Sequence, residues 1–319
     1  MERKSFIVKI LQPYHKETYS CVQDMVYTIS KFYECDYQML LLESWGFKYD
    51  NRKKKLSECL KFAWEGDLSR REYLLSKYHD ILFKYKHEQS YMKNIFNYID
   101  EIRLGVYWDT FDCAWLPSYR KTHGGHFCIV TDYDDDYIYC IDQFSRHCND
   151  IVIPINHLAC NDGFVVIEKK AHQCECKSDK YIEELSKAAN DFKDKGCLEQ
   201  CRMFALDMQK EDMLYDELFA NDDPNSSKFL LQLKYIANDK LNFIEVLDYI
   251  EERTALRLDE SKSILYDLNR QYNRLRMMIV KCIITGHISS MCSLHEVCKH
   301  IVEGEERVLN SVVQTVKKF

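Results

Sequence analysis

With 319 residues, 46% of them hydrophobic and 13% aromatic, the chain can bury two cores and reads as globular rather than disordered. Its formal charge of -7 excludes a general nucleic-acid binder, because phosphate contacts need concentrated Lys and Arg. No apolar run approaches the length that spans a bilayer, and residues 1–10 interrupt their apolar positions with charge, unlike a signal peptide, so a cytoplasmic protein with no membrane partner is expected.

Taken in chain order, residues 6–11 read as a short strand that Pro13 ends. Cys21 then opens an amphipathic helix over 22–33, and 37–98 carries several helical patterns. Among them is 68–86, where Leu74, Leu75, Tyr78, Ile81, Leu82 and Tyr85 fall at helical spacing. From Leu104 the period shortens. Segments 104–111, 127–133, 137–141, 151–155 and 164–168 each read as strands of an antiparallel sheet, with the acidic turn Asp134-Asp135-Asp136 joining two of them.

A polar stretch from Lys169 to Asp179 marks a boundary. Beyond it, 181–193, 198–219, 228–236, 241–253, 259–284 and 293–316 are helical, with a loop at 221–227. The expected architecture is α+β: a catalytic domain over 1–170 with a helical half and a sheet half, followed by an all-α helical domain over 171–319. Stripes such as Ile264, Leu268, Tyr272 and Leu275 are core or docking faces of that bundle.

Three residues stand where chemistry would use them. Cys21 sits at a helix N-terminus, where unpaired N–H groups and the dipole favour a thiolate. His126 enters one strand and Asp142 leaves the next, so adjoining antiparallel strands can hold an imidazole beside a carboxylate. Each alone has a plain structural reading: a small buried hydrophobe, a satisfied strand histidine, a turn carboxylate. The order Cys, helix, then His, strand, turn, strand, Asp favours a nucleophile, its base and the residue that orients the base.

The cysteines number fifteen, and in a reducing compartment they read as free thiols rather than a disulfide framework. Cys174, Cys176, Cys197 and Cys201, with His172, depart from the usual C-x2-C zinc pairing, and the Cys292, His295, Cys298, His300 cluster reads as helix packing. No metal is expected. The run Arg52-Lys53-Lys54-Lys55 reads as a solvated loop or as a patch that steers an acidic partner.

These residues carry a family resemblance. Segment 14–50, with Cys21, its helix and Met39-Leu-Leu-Leu-Glu-Ser-Trp-Gly-Phe, resembles the N-terminal domain of the butirosin-biosynthesis acyltransferase family. So does the stretch from Val106-Tyr-Trp-Asp-Thr-Phe through Leu116-Pro-Ser-Tyr and His123-Gly-Gly-His-Phe to Asp142. The resemblance covers about half the chain and implies a papain-like cysteine protease fold, related to peptidases that trim bacteriocin leaders. It implies an acyl group taken from the phosphopantetheine thioester of an acyl or peptidyl carrier protein and given to a small amine, with no cofactor of the enzyme's own. Cys21 is then the nucleophile, His126 the base and Asp142 the orienting residue.

The chain departs from the wider pattern upstream of the cysteine. Gln12 stands nine positions before Cys21 as the candidate oxyanion donor, further than usual, and Val22 replaces the customary Gly. The Cys21 backbone N–H can supply one donor. Asp109, Trp115, Tyr119 and Arg120 are candidates to line the substrate cleft, Asp109 as an amine binder. Two enzyme readings follow: an acyltransferase forming an amide, and a cysteine peptidase or thioesterase using water with the same triad. A third reading keeps the fold and only binds carrier protein or peptide.

Overall fold

The computed structural model describes residues 11–61, 69–86, 103–144, 151–155, 163–171, 176–210, 213, 215, 227–285 and 291–319. In chain order the elements are α1 (Cys21–Tyr33), a 3-10 segment (Gln38–Ser44), β1 (Lys48–Tyr49), α2 (Leu56–Cys59), β2 (Leu60–Lys61), α3 (Ser69–Tyr78) and β3 (Ile81–Lys86). There follow β4 (Arg103–Asp109), β5 (Gly125–Tyr133), β6 (Tyr137–Ile141), β7 (Ile151–Pro154) and β8 (Phe164–Lys169). Among the described residues five further helices follow: α4 (Ser178–Asp194), α5 (Cys197–Asp207), α6 (Lys228–Arg253), α7 (Asp259–Thr285) and α8 (Met291–Val316). The class is mixed α+β, and no helix of the described residues is long and apolar enough to cross a membrane.

The chain divides into two compact units, Met1–Leu40 with Asp67–Glu175, and Leu41–Gly66 with Cys176–Phe319. This differs from a single cut between 170 and 171, because the segment that follows α1 joins the helical unit. Its aromatic residues explain why. Trp45 stacks with Phe192 and with Phe243, 4.9 Å from each, Phe47 packs on Phe204, and the Tyr49 hydroxyl donates to Asp207 at 2.8 Å. Such rings bury large areas in one step.

In the first unit a six-stranded antiparallel sheet runs in the order β3-β8-β4-β5-β6-β7. Alternation along the strands puts Leu104, Val106 and Trp108 with Cys128, Val130, Ile138, Cys140, Phe164 and Val166 in one core cluster. α1 packs against β5. Gly105 on β4 allows close approach, since a Cβ there would stand 2.2 Å from the Met25 sulfur.

β3 departs from the helical expectation for 68–86. The helix stops at Tyr78, Asp80 adopts a left-handed φ of 53°, and Ile81–Lys86 pairs along β8 with Ile81 and Phe83 buried. Ile81, Leu82 and Tyr85 fit helical spacing, yet Ile81 and Phe83 also fit a period of two. The β8 edge decided between them.

In the second unit α6 runs unbroken from Lys228 to Arg253, where two shorter helices were expected. Asn238, Asp239 and Lys240 continue it; Asp239 and Lys240 are buried rather than looped out. Ile264, Leu268, Tyr272 and Leu275 of α7 are buried as the stripe predicted. The core of this unit also holds an ion pair, Lys240 Nζ to Glu305 at 2.6 Å, to which the Tyr272 hydroxyl donates at 3.0 Å. The expected strand over 6–11, apart from Leu11, and the loop over 221–226 lie outside the described residues, as does the helical pattern over 87–98.

Candidate active site

Ser20 caps α1. Its Oγ accepts from the Gln23 N–H at 3.4 Å while Gln23 Oε1 accepts from the Ser20 N–H at 2.7 Å, a capping box that satisfies two N–H groups at the helix start. This places half-buried Cys21 at the first helical position, inside the positive end of the helix dipole.

Asp24, one turn into the same helix, ties down the preceding segment. Its carboxylate accepts the Lys16 N–H at 3.0 Å and meets His15 Nδ1 at 2.6 Å. Thr28 completes the tie by accepting from the Tyr14 N–H and donating to the Tyr14 carbonyl.

The partner of Cys21 comes from the sheet. β5 and β6 pair with Ile129 opposite Ile141, and extending that register by one step sets Asp142 beside Cys128, diagonal to His126. His126 Nε2 meets Asp142 Oδ2 at 2.7 Å, and both side chains are buried. The Cys21 thiol lies close enough to the same imidazole to act on its charge. With Nε2 turned to Asp142, Nδ1 is the nitrogen left for the thiol.

The electrostatics favour an imidazolium. Burial opposes a charge on His126, but the bond to Asp142 and the negative charge of Asp142 and Cys21 outweigh it and push the group up to about 10. Burial also opposes a charge on Asp142, and there the His126 bond and charge, the Trp115 indole and the Phe144 N–H hold the carboxyl below its usual value. Trp115 Nε1 donates to Asp142 Oδ2 at 2.6 Å and the Phe144 N–H to Oδ1 at 2.9 Å. The neighbouring thiols differ. Burial pushes Cys113 up to about 12 and Cys128 and Cys140 well above the ordinary range, so they stay protonated.

The cleft candidates take other positions than a bare lining. Trp115 is a hydrogen-bond donor to Asp142. Asp109 organises the loop before His126: Oδ2 meets His123 Nδ1 at 2.7 Å, and Oδ1 accepts from the N–H groups of Phe111 and Gly124. Three donors already occupy the carboxylate expected to bind an amine. Arg120, at a left-handed φ of 55°, lies over the rings of Phe111 and Tyr119 on the exposed side of that loop. Gln12 is exposed, and among the described residues no hydrogen bond holds its amide toward Cys21. Gln23 is closer in sequence, but its amide nitrogen is sealed from solvent.

Metal ligation finds one cluster among the described residues. His126, Cys128 and Asp142 offer ligand atoms within 4.8 Å of one another. His126 and Asp142 are already bonded to each other, and the Cys128 thiol is held protonated by burial, which makes it a poor ligand. Cys197 and Cys201 are buried on α5, and His172 and Cys174 lie outside the described residues.

Sequence reasoning did not find the His15–Asp24 pair or the Trp115 bond. One signal was present: Asp24 falls on the side of α1 that carries Met25, Val26 and Ile29 into the core, where a carboxylate needs a partner. A thiol, an imidazole and a carboxylate in this order form the arrangement that generates a thiolate and manages one proton during acyl transfer. No family model and no curated protein matches the chain, so the reading rests on the residues themselves.

Proposed function

We propose that this chain is a cysteine-dependent acyltransferase with a papain-like catalytic unit, moving an acyl group from a carrier-protein phosphopantetheine thioester to a small amine. The observation that carries the reading is the shared imidazole: His126 bonds Asp142 through Nε2 and has the Cys21 thiol close enough to act on its charge. Cys21 thiolate attacks the thioester carbonyl, a C–S bond forms, and the C=O electrons move to oxygen. Collapse expels the pantetheine thiolate, which takes the His126 proton. The acyl group rests on Cys21 until an amine attacks, His126 removes a proton from nitrogen, and the Cys21 thiolate leaves with the amide formed.

The same three residues serve a peptidase or thioesterase with water as acceptor, and the large helical unit favours transfer because it offers a docking partner for a carrier protein. Product analysis tests the choice. Wild type and Cys21→Ala are incubated with acyl-loaded carrier protein and a panel of amines. Cys21-dependent amide in excess of free acid supports transfer, and Cys21-dependent acid alone identifies a hydrolase.

A further inference from the structure

A second imidazole–carboxylate pair lies beside the first. His15 Nδ1 meets Asp24 Oδ2 at 2.6 Å; the Asp24 side chain is fully buried, whereas the His15 side chain is 19% exposed. Among the described residues no group bonds His15 Nε2, so that nitrogen is open to an incoming molecule. Asp24 is in the first turns of the helix that Cys21 begins. Phe144 links the two pairs: its ring meets His15 edge-on at 5.4 Å and His126 at 6.0 Å. Asp24 and Asp142 also feel each other's charge.

The proton count of amide formation gives this pair a task. An aliphatic amine arrives as an ammonium ion with three N–H protons and ends as an amide nitrogen with one. Two protons leave. His126, neutral after protonating the pantetheine thiolate, takes one and becomes the imidazolium that pairs with the released Cys21 thiolate. The triad has no acceptor for the other, whereas water as acceptor would lose only one proton.

We propose that the His15–Asp24 pair takes the first proton from an incoming alkylammonium ion, freeing the amine to attack the acyl group on Cys21. This rests on the acyltransferase reading and narrows its acceptor to a protonated aliphatic amine. A carboxylate on Nδ1 leaves the Nε2 lone pair outward, the mirror image of His126, whose Nε2 meets Asp142 and whose Nδ1 is left to act as a base. Burial lifts Asp24 to about 6 against the bonds from His15 and Lys16, so it is ionised at neutral pH. Of the titratable groups around the pair, Asp142 of the sheet acts on Asp24 through its charge, Lys16 follows His15 in the chain, Cys21 begins the helix that carries Asp24, and His126 shares the Phe144 ring with His15.

The test loads Cys21 from an S-acyl-N-acetylcysteamine thioester and follows discharge of the acyl-enzyme by intact mass with two amines. Propylamine is ammonium at neutral pH, and hydroxylamine is not. His15→Gln is expected to slow propylamine discharge at neutral pH about 100-fold, to slow hydroxylamine discharge far less, and to regain the propylamine rate as pH rises toward that of the free amine. Asp24→Asn is expected to shift both amines in the same sense as His15→Gln.

Equal losses for both amines, or no loss, overturn the proposal. If wild type takes no acyl group, the acyltransferase reading fails and this one with it; a normal adduct with equal losses confines the failure to His15. Iodoacetamide labelling of Cys21 checks that each variant keeps its site, and His15→Asn replaces His15→Gln if that chain does not fold.

Discussion

Trp115 and Asp142 share the shortest of the bonds around the carboxylate: the indole N–H donates to Oδ2 at 2.6 Å, beside the 2.7 Å contact from His126 to the same oxygen. The loop after β4 thus reaches back to fix the group that orients His126. Trp115→Phe keeps the ring and deletes the donor. It is expected to cost about 1.5–3 kcal/mol, the range for a hydrogen bond to a charged group, seen as a lower denaturation midpoint, and to slow Cys21 alkylation by iodoacetamide. An unchanged midpoint and alkylation rate would show that the bond does not position the carboxylate.

His126 makes stability depend on pH. Its folded-state value, about 10, lies above the ordinary 6.5, so the folded chain holds a proton that the unfolded chain releases. That stabilisation is full below about pH 6.5 and is lost as pH rises toward 10. Denaturation midpoints measured across this window are expected to fall more steeply for wild type than for His126→Gln. Parallel curves would contradict the buried imidazolium.

The same pairing controls thiol reactivity. An imidazole beside a thiol takes its proton as the thiol reacts, which raises its nucleophilic rate. His126→Ala is expected to reduce Cys21 alkylation at pH 7 by about tenfold or more, with a smaller effect at high pH. The site of labelling is read by peptide mass mapping, because other cysteines are present.

Gly105 connects the sheet to the helix that carries Cys21. A methyl group there would meet the Met25 sulfur at 2.2 Å, inside any real contact. Gly105→Ala is expected to destabilise by about 1–3 kcal/mol, the cost of overpacking a core, and to lower Cys21 reactivity by shifting α1. Met25→Ala in the same chain should recover part of both losses, as read by chemical denaturation and alkylation.

The helical unit has its own test in Lys240 and Glu305, a buried pair between α6 and α8 at 2.6 Å. Removing one partner leaves a buried charge alone, so Glu305→Gln is expected to cost about 3–5 kcal/mol. Lys240→Met with Glu305→Leu should restore most of it. Chemical denaturation of the full chain measures both, and a harmless single variant would deny the pair a structural role.

Much of this was legible in the order of residues. β5 and β6 announce themselves by runs of β-branched and aromatic residues around an acidic turn, and the register that follows brings His126 and Asp142 together. α1 declares its start through Pro13 upstream and a periodic face downstream. Other features depend on what the chain meets later. Ile81–Lys86 is a strand because β8 offers it an edge, and Leu41–Gly66 leaves the sheet unit because Phe192, Phe204 and Phe243 receive its rings. Nothing local in the sequence marks Trp115 as a donor to Asp142, 27 residues away. The Asp24 carboxylate was visible on an apolar helix face, but its partner, His15, lies in a segment without periodicity.

The central claim is that Cys21 carries the acyl group, and intact-protein mass spectrometry after incubation with acyl-loaded carrier protein tests it most directly. The account predicts an added mass of one acyl group on wild type that maps to Cys21, is absent from Cys21→Ala, and discharges to amide faster than to acid when an amine is supplied. An adduct that persists in Cys21→Ala, or no adduct on wild type while the carrier protein is still bound, would contradict it.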